Sequence, residues 1–237
     1  MKMKMAALVL AIALHFDPRA AWAGATYRHL QLNGWNVEVD ERLYQDPSSH
    51  IDAALRLTAV QLGLVVRAVP VKALAELRRV RIWFSPPYSG DTPRGAYHPS
   101  RAWLVENGRN PEMACGVEFT NSAIFEQETT RMPFFVFHEL AHAYHALVLG
   151  YENPEVAAAY QRAKASGRYG SVERRNGWGR PNTPSTMSYA MENKYEYFAE
   201  SSEAFFGTND FFPFDRAQLR AFDPDMYRLL RRLWGLE

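Results

Sequence analysis

The chain has almost no cysteine and almost no net charge. Cys115 is the single cysteine among 237 residues, so no disulfide can form within the chain. The formal net charge is +1 at pH 7, which gives no electrostatic reason to expect a nucleic acid or an anionic membrane as a partner. Apolar residues make up 47% of the chain, a composition that is typical of a globular protein and excludes a disordered one.

Long hydrophobic runs are also lacking. The apolar run at residues 6–14 is too short to span a bilayer. It follows two lysines and precedes an Ala-Trp-Ala cleavage pattern at residues 21–23. The sequence therefore predicts a secretory signal peptide over residues 1–23, with an uncleaved anchor as the alternative. Residues 24–237 are then expected to form one exported domain, periplasmic or extracellular, without stable membrane insertion.

The hydrophobic patterns of this domain predict both helices and strands, and hence the α+β class. The Asn33-Gly34 pair, flanked by alternating apolar residues, predicts a hairpin over residues 29–40. Helices are expected over residues 49–66, 131–149, 154–167, 193–206 and from 223 to the end. Short strands are expected over residues 80–84, 102–105 and 116–119, and a long loop over 167–188.

The segment with the clearest chemistry is His138-Glu139-Leu140-Ala141-His142, an H-E-x-x-H motif in an almost wholly apolar helix. Residues four apart lie one turn apart on one helix face, so both imidazoles can reach a zinc ion at about 2.0–2.1 Å. Glu139 lies at the edge of that face, where it can take a proton from a metal-bound water. Without a metal, burying these three polar side chains would be costly.

A third ligand is not decided by spacing. His145 lies one turn too far along, and Val148 occupies the position that a third histidine takes in the longer zinc motif. Glu196 is the better candidate because a site with two histidines and one glutamate needs a carboxylate from a second helix. A solvated acidic face, or a capping box with Asn193, explains the same residues, so the role of Glu196 stays open at this point.

A resemblance adds to these observations. The motif at 138–142, followed by a glutamate on a later helix, resembles the gluzincin metallopeptidases, and more closely the catalytic domain of anthrax lethal factor and the lethal-factor-like peptidases. The family run S-Y-G-x-x-N-x-x-E-F-F-A-E is matched in type and spacing by Ser188, Tyr189, Asn193, Glu196, Phe198, Ala199 and Glu200. Two departures are Ala190 in place of glycine and a shift after Glu200. The resemblance covers residues 131–207.

The resemblance implies a set of roles. Glu196 would be the third zinc ligand, Tyr189 the phenol that stabilises the tetrahedral intermediate, and Glu200 a group outside the ligand set. Because ligating imidazoles usually donate their other N–H to a carboxylate, Glu200 could serve His142 or His138; a bystander role is the alternative. The implied fold is zincin-like, with a small, mostly antiparallel sheet packed on the H-E-x-x-H helix. An edge strand from residues 95–104 or 116–121 would hold an extended peptide by backbone pairing.

The expected function is a secreted zinc-dependent endopeptidase that acts as a monomer on a peptide or protein, with one zinc ion per chain. Two alternatives remain open. The first is an exported zinc-binding protein without catalysis, whose site would be closed by Cys115, His145 or Glu200. The second is a zinc hydrolase of a non-peptide amide. Glu139, which has no ligand role in the motif, favours catalysis.

Overall fold

The computed structural model describes residues 24–177 and 179–237; the predicted signal peptide, residues 1–23, lies outside the described residues. The described helices are α1 Arg42–Gln45, α2 Ile51–Ala68, α3 Val71–Leu77, α4 Arg101–Glu106, α5 Phe125–Arg131, α6 Phe135–Tyr144, α7 Pro154–Ser166, α8 Lys194–Phe206, α9 Arg216–Phe222 and α10 Pro224–Leu233. The described strands are β1 Tyr27–Leu32, β2 Trp35–Asp40, β3 Ile82–Phe84, β4 Gly95–Tyr97, β5 Val117–Phe119, β6 Val172–Arg174 and β7 Thr183–Thr186. These elements confirm the α+β class.

The main sheet is mixed, and the prediction of a mostly antiparallel sheet was wrong. Its strand order is β1-β2-β3-β5-β4, in which the two outer pairs are antiparallel and the two inner pairs are parallel. The chain leaves β2 through α1, α2 and α3 before it enters β3. A helical crossover of this kind returns the chain to the same end of the sheet, which makes the two strands parallel.

The N-terminal hairpin is confirmed. β1 and β2 pair antiparallel with Leu32 opposite Trp35, and the two turn residues have positive φ angles, 51° at Asn33 and 93° at Gly34. Asparagine and glycine tolerate this left-handed conformation, which a two-residue hairpin turn with the twist of its strands requires.

One face of the sheet packs on the central helices. The rings of Phe84, Phe119, Phe125 and Phe135 contact one another, with centroids 5.2–5.7 Å apart. α6 is buried on nearly all sides, between the sheet, α2 and α8. The prediction of a buried central helix is therefore confirmed. Its bounds differ: α5 ends at Arg131, and α6 continues beyond Tyr144 as a π-helical stretch, His145–Gly150.

Trp83 of β3 lies outside the main core and packs against Leu104 of α4 and Met113. The predicted strand at 102–105 is the helix α4 instead, because Ser100 accepts a hydrogen bond from the Trp103 amide (3.2 Å) and so caps a helix. A four-residue apolar pattern does not distinguish a strand from a single helical turn.

The chain after α7 is more ordered than predicted. The expected loop at 167–188 contains the hairpin β6–β7, and Arg174 of β6 also bridges to Phe211. Because Phe211 lies far along the chain from β6, local sequence patterns did not predict this bridge. α8 then crosses α6, as predicted for the helix bearing Glu196. None of the described helices is long and apolar enough to cross a membrane.

Candidate metal centre

Three side chains from two helices converge at the crossing of α6 and α8. The Nε2 atom of His138 lies 3.0 Å from Oε2 of Glu196 and 3.0 Å from Nε2 of His142. The third separation, from His142 Nε2 to Glu196 Oε2, is 3.2 Å. The structure thus brings together the three ligands that the sequence and the resemblance indicated, each with one donor atom toward a common point.

These donor atoms suit a zinc ion. Ligands held tetrahedrally at about 2.0–2.1 Å from zinc are about 3.3 Å apart, close to the separations seen here. Two histidines and one glutamate are also a common donor set for catalytic zinc. In addition, two Nε2 atoms facing each other at 3.0 Å need a proton or a cation between them, because each can present a lone pair.

Glu203 orients the first histidine from behind. Its Oε1 atom lies 2.6 Å from Nδ1 of His138, so a proton on Nδ1 leaves Nε2 free to bind a metal. Glu200, the expected carboxylate, is 3.9 Å from the same Nδ1 atom and instead accepts a hydrogen bond from Asn209 Nδ2 (3.0 Å). The close contact therefore belongs to Glu203, which lies seven residues after Glu196 and thus on the same helix face.

The electrostatics of this cluster favour a cation. Burial disfavours charge on Glu196, but hydrogen bonds with His138 and His142 outweigh it and hold the pKa of its carboxyl well below its usual range. Burial also opposes protonation of His138, yet the carboxylates of Glu203 and Glu196 raise the pKa of its ring well above the ordinary value. Burial raises the pKa of Glu203 to about 7. The raised pKa of His138 and the lowered pKa of Glu196 nevertheless show that the protein stabilises positive charge at this point.

Glu139 lies beside the three donors and is held by the sheet. Its Oε2 atom accepts a hydrogen bond from the backbone amide of Tyr97 at 3.1 Å. Tyr97 belongs to β4, the edge strand on this side of the sheet. Of the two segments expected to supply an edge, 95–104 therefore does so, whereas β5, within 116–121, is an inner strand.

The hydrogen bonds of β4 show which backbone groups are free. Arg94 O accepts from Thr120 N (2.9 Å), and His98 N donates to Gly116 O (2.9 Å), so the even-numbered residues face β5. In an antiparallel pair the intervening residues point the other way. Gly95 and Tyr97 therefore direct their backbone groups away from the sheet and into the cleft.

Tyr189 lies on a short 3-10 turn directly before α8. Its side chain is 46% exposed and lines the same cleft as the three metal-binding candidates. Partial burial raises the pKa of its phenol to about 12, with Glu196 as a further cause. The hydroxyl is consequently a neutral hydrogen-bond donor at ordinary pH.

Asn193 caps the start of α8 as the capping interpretation expected, but the reciprocal bond from the Glu196 side chain that would complete a capping box is not made. The side chain of Asn193 accepts hydrogen bonds from the amides of Tyr195 (2.9 Å) and Glu196 (3.0 Å). The carboxylate of Glu196, by contrast, is directed at the two histidines. The cap therefore fixes the backbone at the residue that faces α6.

The other possible ligands stay away from the three donor atoms. Cys115 is exposed just before β5, where its amide donates to His98 O (2.8 Å), and it does not line the cleft. His145 is buried, with its ring 4.9 Å from that of Phe198 and 5.4 Å from that of Tyr195. Among the residues that the structure describes, no fourth protein ligand joins His138, His142 and Glu196. A site of this kind keeps a position for water or substrate.

The cleft in front of these residues has a volume of about 570 Å³ and runs along β4. Arginines and carboxylates line one end of it, and tyrosines line the other. Comparison with known proteins found no matching family model, no matching curated protein and no matching solved structure.

Proposed function

We propose that the protein is an exported zinc-dependent endopeptidase with a zincin-like fold, in which His138, His142 and Glu196 hold one zinc ion. The observation that carries this proposal is the convergence of three donor atoms within 3.0–3.2 Å, with Glu139 directly beside them. Zinc bound by these side chains supplies a water whose pKa is about 7 and polarises the carbonyl of the scissile bond.

Glu139 serves as the general base. The amide of Tyr97 engages Oε2, which leaves Oε1 to take the proton of the attacking water and to pass it to the leaving amine. The contact also fixes the carboxylate on the β4 side of the cleft, where the peptide has to lie. A base that is held in position before substrate binds loses less entropy in the reaction.

Tyr189 stabilises the oxyanion. A neutral phenol on the rim of the cleft can donate a hydrogen bond to the oxygen that gains negative charge as the water attacks. The raised pKa of this tyrosine keeps the proton available through the neutral range. Its place on the turn before α8 ties its position to that of Glu196.

β4 holds the substrate by backbone pairing. The free backbone groups of Gly95 and the carbonyl of Tyr97 face the cleft and offer an extended peptide the bonds of one more strand. Residues line the cleft on both sides of Glu139, so a peptide can extend in both directions from the scissile bond. This arrangement suits cleavage within a chain.

The deciding experiment measures zinc content and cleavage of a mixed peptide library, for the protein without residues 1–23 and for its Glu139→Gln variant. We expect about one zinc per chain in both and cleavage only by the unchanged protein, because Glu139 moves a proton and binds no metal.

Two other results would reject the proposal in different ways. Zinc in both proteins with no cleavage of any peptide would favour a binding protein or a hydrolase of another amide. Absence of bound zinc from both proteins would refute the metal centre itself.

A further inference from the structure

The two helices and the edge strand give the cleft a defined direction. Gly95 of β4 packs directly against the Phe135 ring, and Tyr97 contacts Glu139, so β4 and α6 run in the same direction. α8 runs the opposite way, since its Tyr195 lies against His145 and its Gly207 against Phe134. The cleft therefore has one end near the start of α6 and another beyond its end.

The end near the start of α6 is ion-paired within the protein. Arg131 contacts Asp210 at 3.0 Å and Glu128 at 2.7 Å, and Arg174 contacts the same Asp210 at 3.2 Å. Asp210 is only 1% exposed, and the guanidinium groups of Arg131 and Arg174 compensate its charge. The charges of Arg131, Arg174, Glu128 and Asp210 thus compensate one another and offer a substrate little electrostatic selectivity, whereas Arg94 also lines this end of the cleft.

The other end consists of Tyr97, Tyr151 and Tyr195, here called the tyrosine end. The rings of Tyr151 and Tyr195 stack with centroids 4.3 Å apart and planes inclined by 29°. Tyr195 donates its hydroxyl hydrogen to Glu152 (2.8 Å), which fixes the pair. Tyr151 nevertheless stays 44% exposed and lines the cleft, so one face of its ring is free for a ligand.

The three tyrosines of this end carry no charge at ordinary pH, and the adjoining Lys194 and Glu152 are ion-paired with each other. Burial raises the pKa of the Tyr97 phenol, and burial together with Glu152 raises that of Tyr195. A flat aromatic surface without charge gains most from another apolar ring, which it can meet in stacked or edge-to-face geometry. An acidic or strongly hydrated side chain would lose its water there without gaining an ion pair.

We propose that the tyrosine end is a specificity subsite that binds an aromatic side chain of the substrate, with Tyr151 as the residue that determines the preference. This rests on the proposed peptidase function, because the peptide pairing with β4 passes Tyr97 and then reaches Tyr151. The preferred aromatic residue therefore lies at one fixed position on one side of the scissile bond.

The test measures binding and needs no catalysis. Zinc-loaded Glu139→Gln protein is titrated with fluorescein-labelled nonapeptides of alanine and glycine that carry one phenylalanine, moved by one position between peptides. A second set carries aspartate in its place. Fluorescence anisotropy should show one phenylalanine position that binds about tenfold more tightly than the same position with alanine or aspartate.

Substitutions at position 151 then test whether Tyr151 determines this preference. In the same Glu139→Gln background, Tyr151→Ala should abolish the phenylalanine preference, so that the phenylalanine peptide binds no more tightly than the alanine–glycine peptide. Tyr151→Phe should keep the preference, because the ring and not the hydroxyl makes the contact. Tyr44→Ala, which removes a partly buried tyrosine on α1 outside the cleft, should have no effect.

The outcomes separate the two proposals. Binding without any positional preference, a preference for aspartate, or a phenylalanine preference that survives in Tyr151→Ala would overturn the subsite while leaving the peptidase proposal intact. Failure of every peptide to bind a zinc-loaded protein would overturn both.

Discussion

At the scale of single residues, the chemistry of the centre depends on how each histidine is partnered. His138 has a carboxylate behind it at 2.6 Å, and its Nε2 atom lies 3.0 Å from both Glu196 and His142. His145, by contrast, has neither ring nitrogen hydrogen-bonded although it is only 1% exposed. The same residue type, seven positions apart on one continuous helical stretch, thus has opposite electrostatic surroundings. A polar partner makes the difference.

His145 makes stability depend on pH. Burial against aromatic rings, together with the nearby His142, lowers its pKa from 6.5 to about 4. The unfolded chain therefore binds a proton between about pH 6.5 and 4 that the folded chain does not bind. The stability associated with a neutral His145 is complete above pH 6.5 and is lost as the pH falls toward 4.

We expect His145→Phe to reduce this loss, since phenylalanine fits an aromatic environment and does not titrate. Thermal midpoints at pH 7.5 and pH 5, measured with EDTA so that metal release does not contribute, should differ less in the variant than in the parent. His29→Phe, at an exposed position of β1, serves as the control and should keep the parent's difference. An equal difference in all three proteins would contradict this account.

At the scale of elements, the three-residue strand β4 makes contacts with both the sheet and the candidate metal centre. It is the edge of the sheet, it lies against α6 at Gly95, and its Tyr97 amide holds Glu139. Under the proposed function, this strand connects the substrate-binding edge directly to Glu139, the proposed general base. Its position relative to α6 is therefore a requirement for catalysis under the proposed function.

Proline at position 97 tests the amide contact alone. Tyr97→Pro removes the N–H that points to Glu139 but no bond of the β4–β5 ladder, because residues 96 and 98 carry that ladder. We expect kcat to fall about 10- to 100-fold, with zinc content unchanged, as Glu139 loses its fixed position.

The matched control is Tyr97→Ala, which loses the same ring but keeps the N–H. Equal kcat values for the proline and alanine variants would show that the amide contact has no catalytic role. A circular dichroism spectrum and a thermal midpoint for each variant would identify any loss of folding.

At the scale of the whole molecule, the proposed zinc ion joins α6 to α8, two helices separated by 49 residues of chain. No disulfide can stabilise this chain, since Cys115 is its only cysteine. A ligand that binds only the folded state adds to stability by mass action, about 2.7 kcal/mol at a free concentration 100-fold above Kd.

Zinc removal should therefore lower the thermal midpoint by roughly 5–10 °C for a domain of this size. Differential scanning fluorimetry with and without a chelator would measure the shift. Glu139→Gln should show the full shift, because it keeps all three ligands, whereas Glu196→Gln should show a much smaller one. A shift in Glu196→Gln equal to that of the parent would exclude Glu196 as a ligand.

Local sequence determined the features that depend on residues close together in the chain. The Asn33-Gly34 turn, the Asn193 cap and the paired faces of His138 and His142 all follow from backbone geometry over one or two turns. For that reason the hairpin, the start of α8 and the H-E-x-x-H arrangement could be predicted without a structure. The resemblance pointed to Glu196, which the structure places beside the two histidines, and to Tyr189, which lines the same cleft; their roles stay predictions.

Tertiary structure decided what depends on packing between distant segments. The helical crossover after β2 made the inner strands parallel, and the cap at Ser100 turned a predicted strand into α4. The antiparallel crossing of α6 and α8 selected Glu203, and not Glu200, as the partner of His138. Tyr151 and Tyr195 meet for the same reason. Side-chain contacts across such crossings depend on helix position and rotation, which short-range patterns in a single sequence do not encode.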